Sequence, residues 1–358
     1  MGETLWAGPL LDLRGAKNIC EARLPQGKRS RSRRSGLSRG YARPVRVLVV
    51  TNFEPDEEAP HRGRWVVDQV EALRDLGVEV ELMSFPPGRG NYLPAAREIR
   101  RRVTRSRFDL VHAHYGLVGL SAWLAGASPL IVTFHGTDVR HRQVGPMSRF
   151  LARRIALAAP ASRALFVEEG GRAGLGAVAQ RAAVLPCGPD LARFRPIPAG
   201  EARATLGLSP EGRYLFFPAD PSRPEKRVEL ARSLAQETGA TLLEGGGIAP
   251  EEMSTWMSAA DAVVITSLYE GFGLACLEAL ACLKPVLTTP VGVAPFATGG
   301  LEGVLCEEFD LARWANFLEP IMAGRVREVP GGRRAAQRFG ARRMAERVLV
   351  AYGEVLGA

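Results

Sequence analysis

Residues 270–278 read Glu270-Gly-Phe-Gly-Leu-Ala-Cys-Leu-Glu278 and separate two short apolar runs, at 261–267 and 285–291. Two β-rich runs around a helical pattern predict a strand, a loop, a helix and a second strand of a parallel sheet. Gly271 and Gly273 lie where the helix is predicted to begin. Glycines there let a ligand approach the backbone, and free N–H groups at a helix start attract phosphate. The flanking glutamates suit a ligand with both phosphates and sugar hydroxyls. The alternative is a glycine-containing loop with two solvated glutamates.

The length and charge of the chain restrict the function classes. A chain of 358 residues is long enough for two domains with separate cores. The formal net charge is +9, but residues 1–43 hold ten Lys/Arg and three Asp/Glu, a net of +7, which leaves +2 for the rest. Residues 1–43 are rich in Arg, Ser and Gly, which predicts a disordered tail. Three explanations stay open: a start codon placed too early, a solvated tail, or a polybasic anchor for anionic lipid. The pI of about 9.7 therefore does not indicate nucleic-acid binding by the folded part.

The five cysteines form no CxxC pair, and no His/Cys group has zinc spacing. Reduced, buried thiols in a cytoplasmic protein are the interpretation that this pattern favours. No run of about 18 apolar residues occurs, and residues 5–13 lack the basic-then-apolar order of a secretory signal. We expect a cytoplasmic protein that is able to touch a membrane surface peripherally.

From residue 45 the pattern becomes that of alternating strands and helices. Strands are predicted at 45–51, 78–82, 108–114 and 129–135, with helices at 63–76 and 117–124. This alternation predicts a doubly wound α/β domain, whose ligands bind outside the carboxyl ends of the strands. His112, His114 and His135 fall at those ends. A Pro- and Gly-rich stretch at 184–196 is typical of an interdomain crossover.

The second half repeats this alternation of strands and helices. Strands are predicted at 213–218 and 240–243, with helices at 225–237 and 250–260, before the opening motif. Residues 333–356 form a long helical pattern without proline. Separately, residues 97–107 form a basic helical segment in the first half, which is either a solvated helix face or a patch for an acidic lipid or glycan acceptor.

These motifs together resemble family 4 retaining glycosyltransferases of the GT-B fold. The matching segments are DLVHAHYGLVGLSAWLAG, PLIVTFHGTDV, VLPCGPDLARFRP, RPEKRVELA, MSAADAVVITSLYEGFGLACLEALACLKPVLTTPVG and the closing VLVAYGEVL. The resemblance implies two Rossmann-like α/β domains that face each other across a cleft. The implied divisions are a tail at 1–43, an N-terminal acceptor-side domain at 44–188, a nucleotide-sugar domain at 189–340, and a final helix at 341–358 that crosses back to the first domain.

The resemblance also implies roles for the donor-side residues. Glu278 matches the carboxylate that receives both ribose hydroxyls, and Glu270 matches the one that faces the donor sugar. Lys226 matches the lysine that neutralises the leaving diphosphate, with Arg223 as the nearest substitute for its arginine partner because Pro221 holds the usual place. The loop and the first domain supply further donor contacts, which are expected from Gly271, Phe272, Gly273, Leu274 and Gly63.

On the acceptor side, His135 matches the family histidine that reaches the reacting sugar. His114 and Asp138 are further acceptor-side candidates. The family's usual glycine pair near Gly63 is missing, and the segment between Lys226 and Glu270 is shorter than expected. One strand–helix unit is therefore predicted to be absent there.

The implied reaction moves a hexosyl group from a UDP- or GDP-linked sugar to a hydroxyl of a glycan or lipid-linked acceptor, with the anomeric configuration kept. A role in cell-surface glycan or glycolipid synthesis and contact with anionic membrane are expected. No Asp-x-Asp motif occurs, so we expect no metal, no cofactor beyond the donor substrate, and no nucleic-acid partner. The alternatives are a same-fold epimerase or phosphorylase, or a catalytically silent nucleotide-sugar-binding protein.

Overall fold

The computed structural model describes residues 44–53 and 62–357. The predicted tail at 1–43 lies outside the described residues. The chain divides into two compact units. The first comprises the described residues 44–53, 65–186 and 342–357, and the second comprises 62–64 and 187–341.

The first unit is built on a six-stranded parallel sheet. Its strands are β1 (Arg46–Thr51), β2 (Glu79–Ser84), β3 (Leu110–His114), β4 (Leu130–Phe134), β5 (Ser162–Phe166) and β6 (Ala182–Val184). They lie in the order β2-β1-β3-β4-β5-β6, and all of the pairings are parallel. The central strands β3 and β4 are buried along their whole length, as expected for a sheet covered by helices on both faces.

Helices connect these strands. They are α1 (Arg64–Asp75), α2 (Tyr92–Arg105), α3 (Gly116–Leu124), α4 (Thr137–Arg140), α5 (Gly145–Leu157) and α6 (Glu169–Ala173). Short 3-10 turns lie at Arg89–Asn91 and Gly176–Arg181.

Helices α2, α3 and α5 are neighbours in one layer. Their inner side chains, such as Ile99, Val118 and Leu151, belong to one core with side chains of the sheet. Close approach of α3 to α5 requires Gly116, because a Cβ there would lie only 2.2 Å from the Ser148 hydroxyl oxygen.

The second unit is built on a five-stranded parallel sheet. Its strands are β7 (Tyr214–Phe217), β8 (Thr241–Glu244), β9 (Ala262–Ile265), β10 (Val286–Thr288) and β11 (Val304–Cys306). Their order is β11-β10-β9-β7-β8, again with parallel pairings. Its helices are α7 (Ala199–Thr205), α8 (Val228–Thr238), α9 (Met253–Ala259), α10 (Leu274–Ala281), α11 (Ala294–Ala297), α12 (Leu311–Met322) and α13 (Gly332–Gln337), and a 3-10 turn at Pro224–Lys226 follows β7.

The continuous helix predicted at 333–356 is wrong. The structure has α13 and a separate final helix, α14 (Ala341–Leu356), with Gly340 between them. At this break the backbone is held elsewhere, because the Ala341 N–H donates to the Pro189 carbonyl at 2.9 Å. A Cβ at Gly340 would also lie 2.9 Å from a methyl carbon of Leu191. The helix is therefore interrupted where the chain packs against the segment that opens the second unit.

The final helix α14 belongs to the first unit, although it is last in the chain. Its Glu354 carboxylate lies 3.2 Å from the guanidinium of Arg163 on β5. Its Tyr352 is fully buried and contacts β3, as described below.

Candidate functional site

Each sheet has a switch point at which the strand order reverses, and the sequence-predicted residues gather there. In the first unit the reversal lies between β1 and β3, and in the second unit between β7 and β9. In open α/β sheets the crevice for ligands lies at the carboxyl ends of the strands beside such a point. Lys226 follows β7 and Glu270 follows β9, while His114 ends β3.

The structure joins Lys226 and Glu270 in an ion pair. The ammonium Nζ of Lys226 donates to both carboxylate oxygens of Glu270, at 2.6 and 2.7 Å. Only 10% of the lysine side chain and 15% of the glutamate side chain are exposed. The Ser267 hydroxyl donates to the same carboxylate at 2.7 Å. Two residues predicted to act on the donor are therefore paired with each other. Ser267, which the sequence analysis did not single out, binds the same carboxylate.

A second residue missed in the sequence analysis, Arg227, connects the loop that follows β7 with the loop that follows β9. Its guanidinium donates to the carbonyls of Thr266 (2.6 Å) and Ser267 (3.2 Å). In the opposite direction, the Thr266 hydroxyl lies 2.8 Å from the Lys226 carbonyl, to which it donates. Arg227 also has a left-handed backbone, with φ 53° and ψ 51°, which costs free energy for a residue other than glycine. The surrounding contacts stabilise this conformation and hold Lys226 toward the end of β9.

The loop between Glu270 and α10 is fixed by a second loop. Gly273 has φ 89°, in the left-handed region that favours glycine, and α10 begins at Leu274. The side chain of Phe272 is buried, and its carbonyl accepts a hydrogen bond from the Val293 N–H at 2.7 Å. A Cβ at Gly292 would lie 2.4 Å from the Phe272 carbonyl oxygen, so the two loops approach closely.

The other predicted donor-side residues are less closely gathered. Glu278 lies in the second turn of α10 and is half-buried, and Gly271 is half-buried in the loop. Arg223 is half-exposed and donates to the Glu225 carboxylate at 2.8 Å, so the structure directs it to a neighbour in its own loop. Gly63 is buried in the turn before α1, with φ 68°. Their roles toward a donor stay predictions.

A cluster of buried histidines occupies the carboxyl end of β3 and β4 in the first unit. His114 Nδ1 lies 3.0 Å from His135 Nε2, and the rings of His112 and His114 stack with centroids 4.5 Å apart. Burial lowers the pKa of His114 to about 3 and holds the pKa values of the other two well below their ordinary range. All three imidazoles are therefore neutral near pH 7. His114 Nε2 is buried without a hydrogen-bond partner among the residues that the structure describes.

Asp138 organises the loop that carries His135. One carboxylate oxygen accepts from the His135 N–H at 2.9 Å, and the other accepts from the Gly116 N–H at 2.8 Å. Burial raises the pKa of Asp138 to about 6, although the backbone donors oppose this shift. Its contacts fix the start of α3 and the end of β4. The predicted acceptor-side role of Asp138 stays a prediction beside this positioning role.

Two tyrosines that the sequence analysis did not select complete the cluster. Tyr352 on α14 places its hydroxyl 2.9 Å from His112 Nδ1, and the Thr133 hydroxyl lies 2.8 Å from His112 Nε2. Tyr115 has φ 76° and ψ 147°, a backbone region that is nearly restricted to glycine. Its ring stacks on His135, with centroids 4.5 Å apart. Such strain beside a histidine cluster is typical of a functional site, and the only sequence signal for Tyr115 was its place after His114.

The two groups differ in chemistry. The Lys226–Glu270 pair offers a cation and an anion, whereas the neutral imidazoles offer hydrogen bonds without charge. Within residues 44–53 and 62–357, no group of three or more His, Cys, Asp or Glu is arranged to hold a metal ion. Among the same residues, no helix is long and apolar enough to cross a membrane.

Comparisons with known proteins agree with this architecture. Residues 36–193 match the family described as Glycosyltransferase Family 4, and residues 220–323 match Glycosyl transferases group 1. The D-inositol 3-phosphate glycosyltransferase of Actinosynnema mirum is 32% identical over 307 residues, which cover 69% of this chain and 72% of the relative. The enzyme of the same name from Thermobispora bispora is 28% identical, across 82% of this chain and 89% of the relative.

Solved structures show the same fold at lower identity. Sucrose-phosphate synthase from Thermosynechococcus elongatus superposes with a TM-score of 0.63 at 20% identity, covering 84% of this chain and 96% of that one. Anabaena HepE in complex with UDP and glucose also gives 0.63, at 17% identity, covering 85% and 98%. These likenesses confirm the predicted fold class of two Rossmann-like GT-B domains. The chain belongs to the family 4 glycosyltransferases.

Proposed function

We propose that this protein transfers a hexosyl group from a nucleoside-diphosphate sugar to an acceptor hydroxyl, with retention of the anomeric configuration. The observation that carries the proposal is the Lys226–Glu270 pair at the β7/β9 switch point, beside a helix that begins at Leu274. A cation and a helix start next to a carboxylate suit a ligand with a diphosphate at one end and hydroxyls at the other.

In the proposed reaction, the sugar–phosphate bond breaks and the diphosphate leaves with the electron pair. Lys226 and the N–H groups at the start of α10 stabilise the negative charge that develops on this leaving group. Glu270 binds sugar hydroxyls, and Glu278 accepts from both ribose hydroxyls, since a carboxylate matches a vicinal diol. Arg223 assists only after it leaves the carboxylate of Glu225.

Two histidines of the first unit are proposed to contribute hydrogen bonds without charge. His135 and His114 are proposed to hydrogen-bond hydroxyls of the reacting sugar or the acceptor, because their lowered pKa values keep them uncharged. A retaining hydrolase would need a nucleophilic carboxylate about 5 Å from an acid carboxylate. We propose instead a front-face substitution in which the leaving phosphate takes the proton of the acceptor hydroxyl, without a metal ion.

The relatives guide the choice of substrates for testing. Anabaena HepE was solved with UDP and with UDP-glucose, which supports a UDP-linked donor here. The relatives named D-inositol 3-phosphate glycosyltransferases support a phosphorylated polyol as one acceptor to test, beside glycan and lipid-linked acceptors. We propose a cytoplasmic reaction that serves cell-surface glycan or glycolipid synthesis.

The test incubates the full chain with UDP- and GDP-hexoses and an acceptor panel that includes D-inositol 3-phosphate. Product formation is followed by mass spectrometry, and the anomeric proton coupling of the product reports the configuration. Lys226→Ala should lower turnover at least about tenfold while the melting temperature stays close to that of the parent. Arg232→Ala is the matched control, because it removes an exposed ion pair with Glu244 on the same unit. Inverted product, or full activity of Lys226→Ala, would refute the proposed mechanism.

The alternatives give different results in the same assay. An epimerase converts the donor sugar without an acceptor, and a phosphorylase needs inorganic phosphate. A silent binding protein raises its melting temperature with UDP or GDP by mass action but makes no product. Turnover that persists in excess chelator would support the metal-independent route.

A further inference from the structure

The outer side of one helical layer exposes an unusual number of apolar side chains. Eight large apolar side chains are exposed among the described residues, and six of them lie on the adjacent helices α2, α3 and α5. These six are Leu93, Trp123, Leu124, Met147, Phe150 and Leu157. Exposed apolar side chains are normally scattered singly, so their concentration on one layer indicates an interaction surface.

Helix α5 shows the pattern most clearly. Met147, Phe150 and Leu157 are 44%, 50% and 51% exposed, and their spacing of three and seven residues places them along one side of the helix. The neighbouring side carries Leu151 and Ile155, which are buried in the core of the first unit. An ordinary surface helix has a polar outer side. Packing of the core therefore explains only one of the two apolar sides of α5.

The charges on the same three helices are predominantly positive. Together α2, α3 and α5 contain eight arginines and one glutamate, for a net charge of +7. The single acid, Glu98, accepts hydrogen bonds from Arg101 and Arg102 at 2.7 Å. Arg153 and Arg154 are exposed and lie between Phe150 and Leu157 on α5, which has no acidic residue. The apolar side chains are thus bordered by positive charge.

We propose that this outer layer, formed by the exposed sides of α2, α3 and α5, docks on the surface of an anionic lipid bilayer. Apolar and aromatic side chains enter the boundary between headgroups and acyl chains, while arginine stems lie along them and keep their guanidinium groups at the phosphates. Anionic headgroups complement the net charge of +7. A second copy would bring two surfaces of the same positive sign together, and a free acidic glycan would leave the apolar side chains in water.

The experiment measures co-sedimentation of the full chain with vesicles of phosphatidylcholine, with and without phosphatidylglycerol. Because residues 1–43 are also basic, the decisive variant changes no charge: Phe150→Ser with Leu157→Ser. We expect its partitioning onto the anionic vesicles to fall about tenfold or more, and Arg153→Gln with Arg154→Gln to weaken binding similarly and to reduce its salt dependence. Leu268→Ser is the matched apolar control, since Leu268 is 62% exposed in the second unit.

Several outcomes would overturn the proposal. Unchanged vesicle binding by the Phe150 and Leu157 double variant would assign binding to other basic segments, such as residues 1–43. A parent that binds no vesicles but self-associates in sedimentation velocity would be a different outcome. If the double variant then loses this self-association, the surface belongs to a contact with a second copy. If the double variant melts at a lower temperature, Phe150→Trp provides a second measurement. Its added fluorescence should be quenched by brominated lipid, and the absence of quenching would exclude insertion at α5. None of these measurements depends on the catalytic proposal.

Discussion

Replacing Glu270 by glutamine should tighten the binding of the nucleotide while it abolishes most of the turnover. In the structure the Glu270 carboxylate accepts hydrogen bonds from the Lys226 ammonium at 2.6 and 2.7 Å. A diphosphate that binds Lys226 must compete with this carboxylate and is also repelled by it. Glu270→Gln keeps the size of the side chain and its contact with Ser267, but it removes the negative charge.

The expected size of the effect comes from the geometry of the pair. A hydrogen bond to a charged group contributes about 1.5–3 kcal/mol net. Because the pair retains some exposure and the amide still accepts one bond, we expect the binding of UDP or GDP to gain about 1–2 kcal/mol. This corresponds to roughly 5- to 30-fold tighter binding. Turnover with the full donor should fall about 100-fold, since the sugar loses its charged partner.

Isothermal titration with UDP and GDP, followed by turnover with the sugar-linked donors, tests both directions in the same variant. Glu244→Gln serves as the control, because its carboxylate pairs with Arg232 at an exposed site, and it should change neither quantity. Unchanged or weaker nucleotide affinity in Glu270→Gln would show that Lys226 does not transfer from the carboxylate to the diphosphate. The reasoning that links this ion pair to the leaving group would then be wrong.

The remaining predictions concern positioning and stability. Arg227→Ala and Arg227→Gly should both lower kcat about tenfold with little change in nucleotide affinity. The glycine variant should be about 1 kcal/mol more stable than the alanine variant, because glycine adopts the left-handed backbone without strain. A fully active glycine variant would contradict the positioning role. Tyr352→Phe should lower the free energy of unfolding in urea by about 1–3 kcal/mol, because it leaves His112 Nδ1 buried and unpaired. Each buried neutral histidine lowers the free energy of unfolding by about 1.4 kcal/mol per pH unit as pH falls below about 6.5. Asp138, with its raised pKa, has the opposite effect and adds one such slope of stability below about pH 6. Urea unfolding between pH 7 and 5 should therefore show net acid destabilisation that His114→Phe reduces by one such slope.

The strands were predictable because parallel strands covered on both faces are continuous apolar runs. The run at 45–51 corresponds to β1 at Arg46–Thr51 with one residue of difference. The break at Gly340 was not predictable from helical periodicity, which continues through it. It depends on the packing of Ala341 and Gly340 against residues far earlier in the chain.

For the candidate site, the sequence indicated which residues to select but not which contacts hold them in place. Glu270 and Lys226 could be selected from their motifs. The role of Arg227 depends on hydrogen bonds to carbonyls about 40 residues away. Tyr352 contacts His112 across 240 positions, and no local pattern reports such a pair. Residues that position a site through long-range contacts with the backbone therefore have no signature in spacing or composition.

The place of α14 in the first unit has a consequence for biosynthesis. A ribosome makes the six strands of this unit first, but the helix that contacts His112 is made only after the whole second unit. Until Tyr352 emerges, His112 Nδ1 lacks the hydroxyl that it meets in the finished protein. The amino-terminal half therefore cannot reach its final packing until the whole second unit has also been made. A premature stop codon that removes only α14 would affect the earliest-made domain rather than the one next to the stop.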